Sequence, residues 1–279
     1  MLYCARLGFV NFGGPQSGPD FENREEAHIA SIWATSDLRK MGRYDGPPNS
    51  QNLSGRSIYC QVEFMGEKSE GILLHAIPYL GRQKILKVFS PNEGLISFMA
   101  KSANPAFTDP FCICEWVFQR GKKEIHSLKD ISLIDNLLEI RKSYDSLCAA
   151  GKMAQDILRT QLAGKRTDAL YALLKAYLKK LPSMENKTAL AESFRIKLLI
   201  HEGLLSLEKT CASCGASALH LHEGESFCSS HAHPLGLSFS QEEWGTICAL
   251  GYERTFSAFE ARRALPIEKL DRLFKERLS

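Results

Sequence analysis

Close to Asn136 the repeat of apolar side chains changes from the two-residue period of strands to the 3.6-residue period of helices. A chain with such a break needs two architectures in tandem, because a sheet and a helix bundle bury their apolar faces differently. Before the break, Gly71–Pro78 is apolar and strand-like, Tyr79–Arg82 reads as a turn, and Lys84–Phe89 alternates apolar with basic residues. Ser90-Pro91-Asn92-Glu93-Gly94 is a strong turn signal, and Leu95–Lys101 reads as a third strand. Asn104–Pro110 is a loop with two prolines. Phe111–Gln119 is rich in aromatic and β-branched residues, and Arg120-Gly121-Lys122 leads tightly into a fifth strand, Glu124–Ile131. Five short strands in about 65 residues predict a small barrel.

After the break, Leu137, Ile140, Tyr144, Leu147 and Cys148 fall on one helical face that runs on through Met153, Ile157, Leu158 and Leu162. Thr167–Leu181 predicts a second helix with Leu170, Leu173, Leu174, Tyr177 and Leu178 inward, ended by Pro182. Thr188–Leu207 predicts a third, carrying Leu190, Phe194, Leu198 and Leu199. Ser240–Leu250, Ser257–Arg263 and Ile267–Leu278 predict three more, with Pro266 at the first turn of the last. Residues 1–64 are broken repeatedly by Gly-Gly-Pro, Ser-Gly-Pro and Gly-Pro-Pro. They read either as a disordered extension or as residues ahead of a true start at Met65. The expected division is therefore 1–64 as extension, 65–136 as barrel and 137–279 as helical domain.

Hydrophobic residues make up 44% and charged residues 24%, the balance of an ordinary globular protein. No apolar run approaches the roughly 20 residues needed to cross a bilayer, and the N-terminus lacks the pattern of a secretory signal, so no membrane partner is expected. The net charge of +3 is too small to require nucleic acid by itself. Its distribution is uneven: residues 65–142 carry 11 basic and 9 acidic groups, 143–205 carry 10 and 6, and 206–279 carry 8 and 10.

Nine cysteines, an odd count, read as a reducing cytosol and not as a disulfide framework. Cys211-Ala-Ser-Cys214-Gly has the form of a zinc knuckle, in which a tight turn brings two thiolates to one ion. Cys228-Ser-Ser-His231 follows 14 positions after Cys214 with the same internal spacing. Four ligands in two short pairs suit tetrahedral Zn²⁺, and a closed four-protein-ligand site is structural. His233 competes with His231 as the fourth ligand but ranks second, because the 228/231 spacing repeats the 211/214 spacing; His220 and His222 lie in the intervening hairpin and read as surface residues, though either could substitute. A redox CxxC would need a βαβ pattern, which is absent. Cys112 and Cys114 point the same way on a strand and read as barrel-wall residues, and Cys148 and Cys248 as small core residues. The fold class is α+β: a five-stranded OB-like β-barrel followed by an all-helical domain with an inserted zinc knuckle at 208–234.

The order of parts resembles the bacterial recombination-repair mediator RecO family. Glu70-Gly-Ile-Leu-Leu-His-Ala-Ile-Pro-Tyr79 is similar to its opening strand, and Arg82-Gln-Lys-Ile85 with Leu86-Lys-Val-Phe-Ser90 to its second. Glu93-Gly-Leu-Ile-Ser97 and Ala100-Lys101 resemble its third strand and the basic loop after it. Phe194-Arg-Ile-Lys-Leu-Leu199 ahead of Cys211-x-x-Cys214-Gly215 resembles the helix leading into its zinc segment. The match covers residues 65–279; residues 1–64 have no counterpart, the last ligand is histidine where many members have cysteine, and Leu80-Gly81 replaces a more polar turn. The resemblance implies binding of single- and double-stranded DNA, strand annealing, and loading of recombinase onto DNA coated by single-strand-binding protein. It implies two protein partners, RecR and the acidic C-terminal tail of single-strand-binding protein, and no cofactor besides zinc.

OB barrels bind single strands with a basic groove and aromatic stacking faces. Arg82, Lys84, Lys87, Lys101, Arg120, Lys122 and Lys123 are the candidate phosphate contacts, and Tyr79, Phe98, Phe107 and Trp116 the candidate stackers. Phe98 and Trp116 read first as barrel core, so Tyr79 and Phe107, in loops, are the better stacking candidates, and a solvated charge is the competing role for each cation. In the helical domain Lys175, Lys179 and Arg195, with Lys165-Arg166, Lys180 and Lys197, offer a basic rim for an acidic peptide. No HExxH, GxSxG, P-loop or strand-borne GxGxxG occurs, so an enzyme is not expected. A protein-interaction adaptor with a structural zinc and no nucleic-acid contact is the alternative.

Overall fold

The computed structural model describes residues 66–101, 109–122, 124–260 and 266–278. Residues 1–64, Phe107 and Lys123 lie outside that set. Five strands, β1 (Glu67–Pro78), β2 (Lys84–Ser90), β3 (Gly94–Ala100), β4 (Ile113–Gln119) and β5 (Ile125–Asp135), close into a barrel in the order β1-β2-β3-β5-β4. All pairings are antiparallel except β3 with β5. Alternate residues of each strand fill the barrel: Leu73, Leu86, Val88, Ile96, Phe98, Cys114, Trp116 and Phe118 form its apolar core. The out-of-phase residues Ile72, Leu74, Phe89 and Ile113 are equally buried, against the helices. That is why Ile72-Leu73-Leu74 is an unbroken apolar run: this stretch of β1 has no solvent face.

The helical region holds α1 (Tyr144–Thr160), α2 (Asp168–Lys180), α3 (Lys187–His201), α4 (Gln241–Tyr252), α5 (Ser257–Glu260) and α6 (Ile267–Leu278). Between α3 and α4 lies a small sheet of β6 (His220–His222), β7 (Glu225–Phe227) and β8 (Leu237–Ser238), in the order β7-β6-β8. Every residue from Ala189 to Leu199 is buried, so α3 is the axis around which α1, α2, α4 and α6 pack. Its charged members Glu192, Arg195 and Lys197 are therefore buried too.

Two joints fix the barrel to the helices. At the β2–β3 turn, Thr167 N donates to Pro91 O at 2.8 Å, Gly164 N to Glu93 O at 2.8 Å and Leu95 N to Leu162 O at 3.3 Å. On β1, Glu70 Oε1 accepts from the Tyr171 hydroxyl at 2.6 Å and from Lys175 Nζ at 2.7 Å, both on α2.

The structure departs from the sequence expectations at several ends. β1 begins four residues earlier than expected and β5 runs on to Asp135. The predicted helix over 188–207 stops at His201, because Gly203 takes a left-handed φ of 71° and Leu204 N turns back to Leu199 O. The run from Leu137 is not one helix: a 3₁₀ turn (Leu138–Lys142) ends at Ser143, which caps α1. That break shifts the helical phase, so Tyr144 is 80% exposed, Leu147 and Cys148 are exposed, and the buried face is Ala149, Ala150, Met153, Ala154 and Ile157. Cys248 is half-buried. Of the predicted helix 257–263, α5 covers Ser257–Glu260 and the rest lies outside the described residues.

Candidate metal centre and nucleic-acid surface

Cys211, Cys214, Cys228 and His231 converge so that their ligand atoms all lie within 4.8 Å of one another. His231 Nδ1 is 3.4 Å from Cys228 Sγ and 3.8 Å from Cys211 Sγ, and Cys214 Sγ is 3.6 Å from Cys228 Sγ. Ligands about 2.3 Å from a tetrahedral ion are about 3.8 Å apart, so the donor set can hold one metal ion. Local backbone bonds build each half. Gly215 N donates to Cys211 O at 2.9 Å and Cys211 N to Ala216 O at 2.6 Å, which closes the first turn. His231 N donates to Cys228 O at 3.1 Å in the second. The β6–β7 hairpin joins the two halves, and Ala212 N donates across to Ser226 O at 2.9 Å.

Local hydrogen bonds favour the thiolate at two of the four positions. Desolvation works against ionising Cys211, yet backbone hydrogen bonds at Cys228, Ser213 and Cys214 outweigh it and bring the thiol down to about 6. Burial likewise opposes Cys228, whose thiol is nevertheless held low by His231. Reciprocally, hydrogen bonds to Cys228 and Cys211 raise the His231 imidazole. Thiolate, the ligating form, is thus favoured at Cys211 and Cys228, whereas at Cys214 a backbone hydrogen bond at Ala216 is outweighed by Cys228, burial and Cys211, which leave that thiol raised. His233 stays out of the cluster. Its ring stacks on His222 with centroids 3.8 Å apart, and its Nδ1 accepts from Leu235 N at 3.2 Å. His220 and His222, expected at the surface, are half-buried on β6.

Strand alternation sorts the basic residues of the barrel. Lys87 shares the outward face of β2 with Ile85, and its Nζ donates to Ser97 Oγ on β3 at 2.8 Å. Lys101 continues the outward phase of Leu95, Ser97 and Met99 and is exposed. Lys84 is in phase with core residues Leu86 and Val88, which places it at the barrel rim. Arg82 and Lys122 are exposed in turns. Arg120 is exposed but carries two carboxylates, with Nε 2.7 Å from Glu67 and Nη2 2.8 Å from Glu93. Beside it Lys129, which the sequence reading passed over, helps line a hollow of about 400 Å³ with Val117, Phe118 and Gln119.

The candidate stackers divide. Phe98 and Trp116 are fully buried and stack on each other at 5.6 Å inside the barrel, so neither offers a face to a base. Tyr79, at the β1–β2 turn, is 50% exposed. Cys112 and Cys114 are buried with sulfurs 3.7 Å apart, as expected of barrel-wall residues. Among the partner candidates, Lys179 is exposed on α2 and Lys175 is half-buried against Glu70. Arg195 is a correction: it is 6% exposed, and its guanidinium is held by Asp156 at 3.1 Å and by Asp271, with Phe274 stacked at 4.6 Å. A guanidinium so enclosed is not presented to an incoming peptide. Its place in the wholly buried stretch Ala189–Leu199 of α3 explains why.

Residues 65–137 match the family model described as Recombination protein O N terminal. Over 222 residues the chain is 31% identical to DNA repair protein RecO of Chlamydia trachomatis serovar L2, an alignment covering 75% of this chain and 91% of that one. The chain belongs to the RecO family. DNA repair protein RecO of Chlamydia muridarum is also 31% identical, with 75% of this chain and 94% of the relative covered. That of Chlamydia pneumoniae is 28% identical over 213 residues, with 73% and 84% covered. The RecO family is one of DNA repair proteins, and the barrel of this RecO-family chain is the part its N-terminal model describes. No helix among the described residues is long and apolar enough to cross a membrane.

Proposed function

We propose that this RecO-family chain is a recombination mediator that binds single- and double-stranded DNA, anneals complementary strands and helps load recombinase onto DNA coated by single-strand-binding protein. The observation that carries the reading is the part of the outward face of β2 and β3 that the helices leave uncovered, with Lys87 and Lys101, flanked by the exposed turns of Arg82 and Lys122. Such a face neutralises phosphates without reading sequence. Lys84 at the rim and Arg120, once released from Glu67 and Glu93, extend it, with Lys123 as a further candidate. Tyr79 is the candidate stacking face.

RecR and the acidic tail of single-strand-binding protein are the proposed protein partners, with Lys179 on α2 as the candidate contact for the tail and Lys175 beside it. The proposed ion is Zn²⁺, held by Cys211, Cys214, Cys228 and His231 in a structural role. With every position taken by protein, such an ion fixes the fold and offers no place to a substrate. The proposed setting is the cytoplasm, at the nucleoid, and no bond-making chemistry is assigned.

Binding of fluorescent single-stranded oligonucleotide across a salt series, with annealing of a complementary strand, tests the reading. The expected outcome is affinity that falls steeply with salt, together with annealing faster than in buffer. Salt-independent binding would sink it.

A further inference from the structure

We propose that α6 is a strap that holds the metal-binding segment in its ligating shape, with Arg272 and Arg277 as its positioning residues. The inference rests on the metal reading of the four-ligand cluster and goes beyond it. Three cations on α6 touch chain that flanks the ligands. Arg277 Nε donates to Leu204 O at 3.0 Å, seven residues ahead of Cys211. Arg272 Nη2 donates to Leu235 O at 3.0 Å, four residues past His231. Lys269 Nζ bonds Glu243 Oε2 at 2.7 Å and lies 5.2 Å from the Phe239 ring centroid. The two guanidinium groups therefore grip the metal segment where it leaves the helical region and where it returns.

The hairpin between the two ligand pairs is drawn to the same point. Ser206 N donates to Gly224 O at 2.7 Å. A Cβ on Gly224 would lie 2.2 Å from Leu204 O and 3.5 Å from Arg277 Cζ, and its φ is 82°. Only glycine lets the β6–β7 turn come so close to the Leu204 carbonyl, the group that Arg277 of the strap also holds. The strap itself is anchored, because Leu270, Leu273 and Phe274 are buried in the same apolar core as Leu221 and Leu237 of the small sheet.

Metal affinity at a site that must be folded to ligate includes the free energy of holding the chain in place. Charge-assisted bonds from arginine to backbone carbonyls supply that hold. Cutting them promotes local opening of the segment, which is the route by which a chelator reaches the ion. Asp271 is the internal control. It lies on α6 but pairs with Arg195 and Lys152, away from the metal segment.

The test uses the full chain. Native mass spectrometry gives metal content, and a colorimetric chelator then follows release of the ion. The expected result is one ion per chain in the wild type and release about tenfold faster or more in Arg272→Ala/Arg277→Ala. Arg272→Lys, which keeps a cationic donor, recovers part of the wild-type rate. Asp271→Ala lowers the melting temperature yet releases at the wild-type rate. Each single arginine variant carries the same expectation in smaller measure and serves if the double variant fails to fold. Equal release from wild type and the arginine variants overturns the strap and leaves the metal reading intact. Fast release from Asp271→Ala also overturns it, by reducing the effect to general loosening. A wild type without metal overturns both.

Discussion

Lys175 Nζ on α2 lies 2.7 Å from Glu70 Oε1 on β1, a bond between residues 105 apart in sequence that ties the helices to the barrel. Tyr171 shares the same carboxylate oxygen at 2.6 Å. Burial works against the ionised form of Glu70, but hydrogen bonds from Lys175 and Tyr171 hold its carboxyl below the usual range. A carboxyl lowered in the folded state contributes stability that is full above its unfolded value and is lost as pH falls through the folded one. Glu70→Gln should therefore cost roughly 1 kcal/mol near neutral pH, a figure already reduced for solvent screening. The difference from wild type should shrink below pH about 4. Urea unfolding at pH 7 and pH 3.5 checks this, and an unchanged difference at both would refute it.

Replacing Cys211 and Cys228 by serine removes two of the four donors. The expected outcome is loss of the bound ion and of amide protection across residues 204–240, with α1 to α3 still folded. Native mass spectrometry and hydrogen exchange read the two effects. Full protection without metal would count against a structural ion.

Charge reversal at Lys87 and Lys101 should weaken single-stranded DNA binding at every sequence alike. Each reversal should also reduce the slope of log affinity against log salt by about 0.7 or more. Arg120→Ala should change the slope less, because Glu67 and Glu93 already balance its charge. Fluorescence anisotropy across a salt series measures all three, and equal slopes throughout would remove the barrel face from the binding path.

Arg195→Ala should destabilise the helical region by about 3 kcal/mol, since it leaves the buried Asp156 carboxylate without its hydrogen-bonded partner and Glu192 with Lys152 alone. Asp156 and Glu192 are 1% and 0% exposed, and burial already raises the Asp156 carboxyl to about 6 against the pull of Arg195 and Lys152. Under conditions where the variant stays folded, its DNA salt slope should match the wild type. A large drop in DNA affinity with unchanged melting temperature would contradict the enclosed position.

Lys197 Nζ is buried between the Tyr177 and Phe259 rings and donates to Glu253 O at 2.6 Å. Desolvation brings its ammonium down to about 8. The unfolded chain then binds more protons than the folded one between pH about 8 and 10.5, so this group makes stability rise with pH across that window. Wild type should gain on Lys197→Met between pH 8 and 9.5, in paired denaturant titrations. A constant gap would mean that Lys197 does not titrate there.

The strands, the turn at Ser90–Gly94 and the buried face of α2 were readable in the chain because each depends on nearest neighbours in sequence. So were the two ligand pairs, whose i,i+3 spacing is itself the geometry of a metal turn. What escaped depends on contacts made at a distance. Arg195 looks like surface charge until α3 is seen to have no free side. Tyr144 was placed on the wrong face because Ser143, a local cap, interrupts what reads as one period. His231 over His233, by contrast, is already favoured by the repeat of the 211/214 spacing at 228/231, and the stacking of the His233 ring on His222 agrees with it.

Because Ile72, Leu74, Phe89 and Ile113 leave the strands on the side away from the barrel interior, the barrel wears part of the helical region's core as its own outer wall. Excised at Asn136, it would carry four greasy side chains into water and tend to self-associate. Barrel and helices should therefore melt in a single transition.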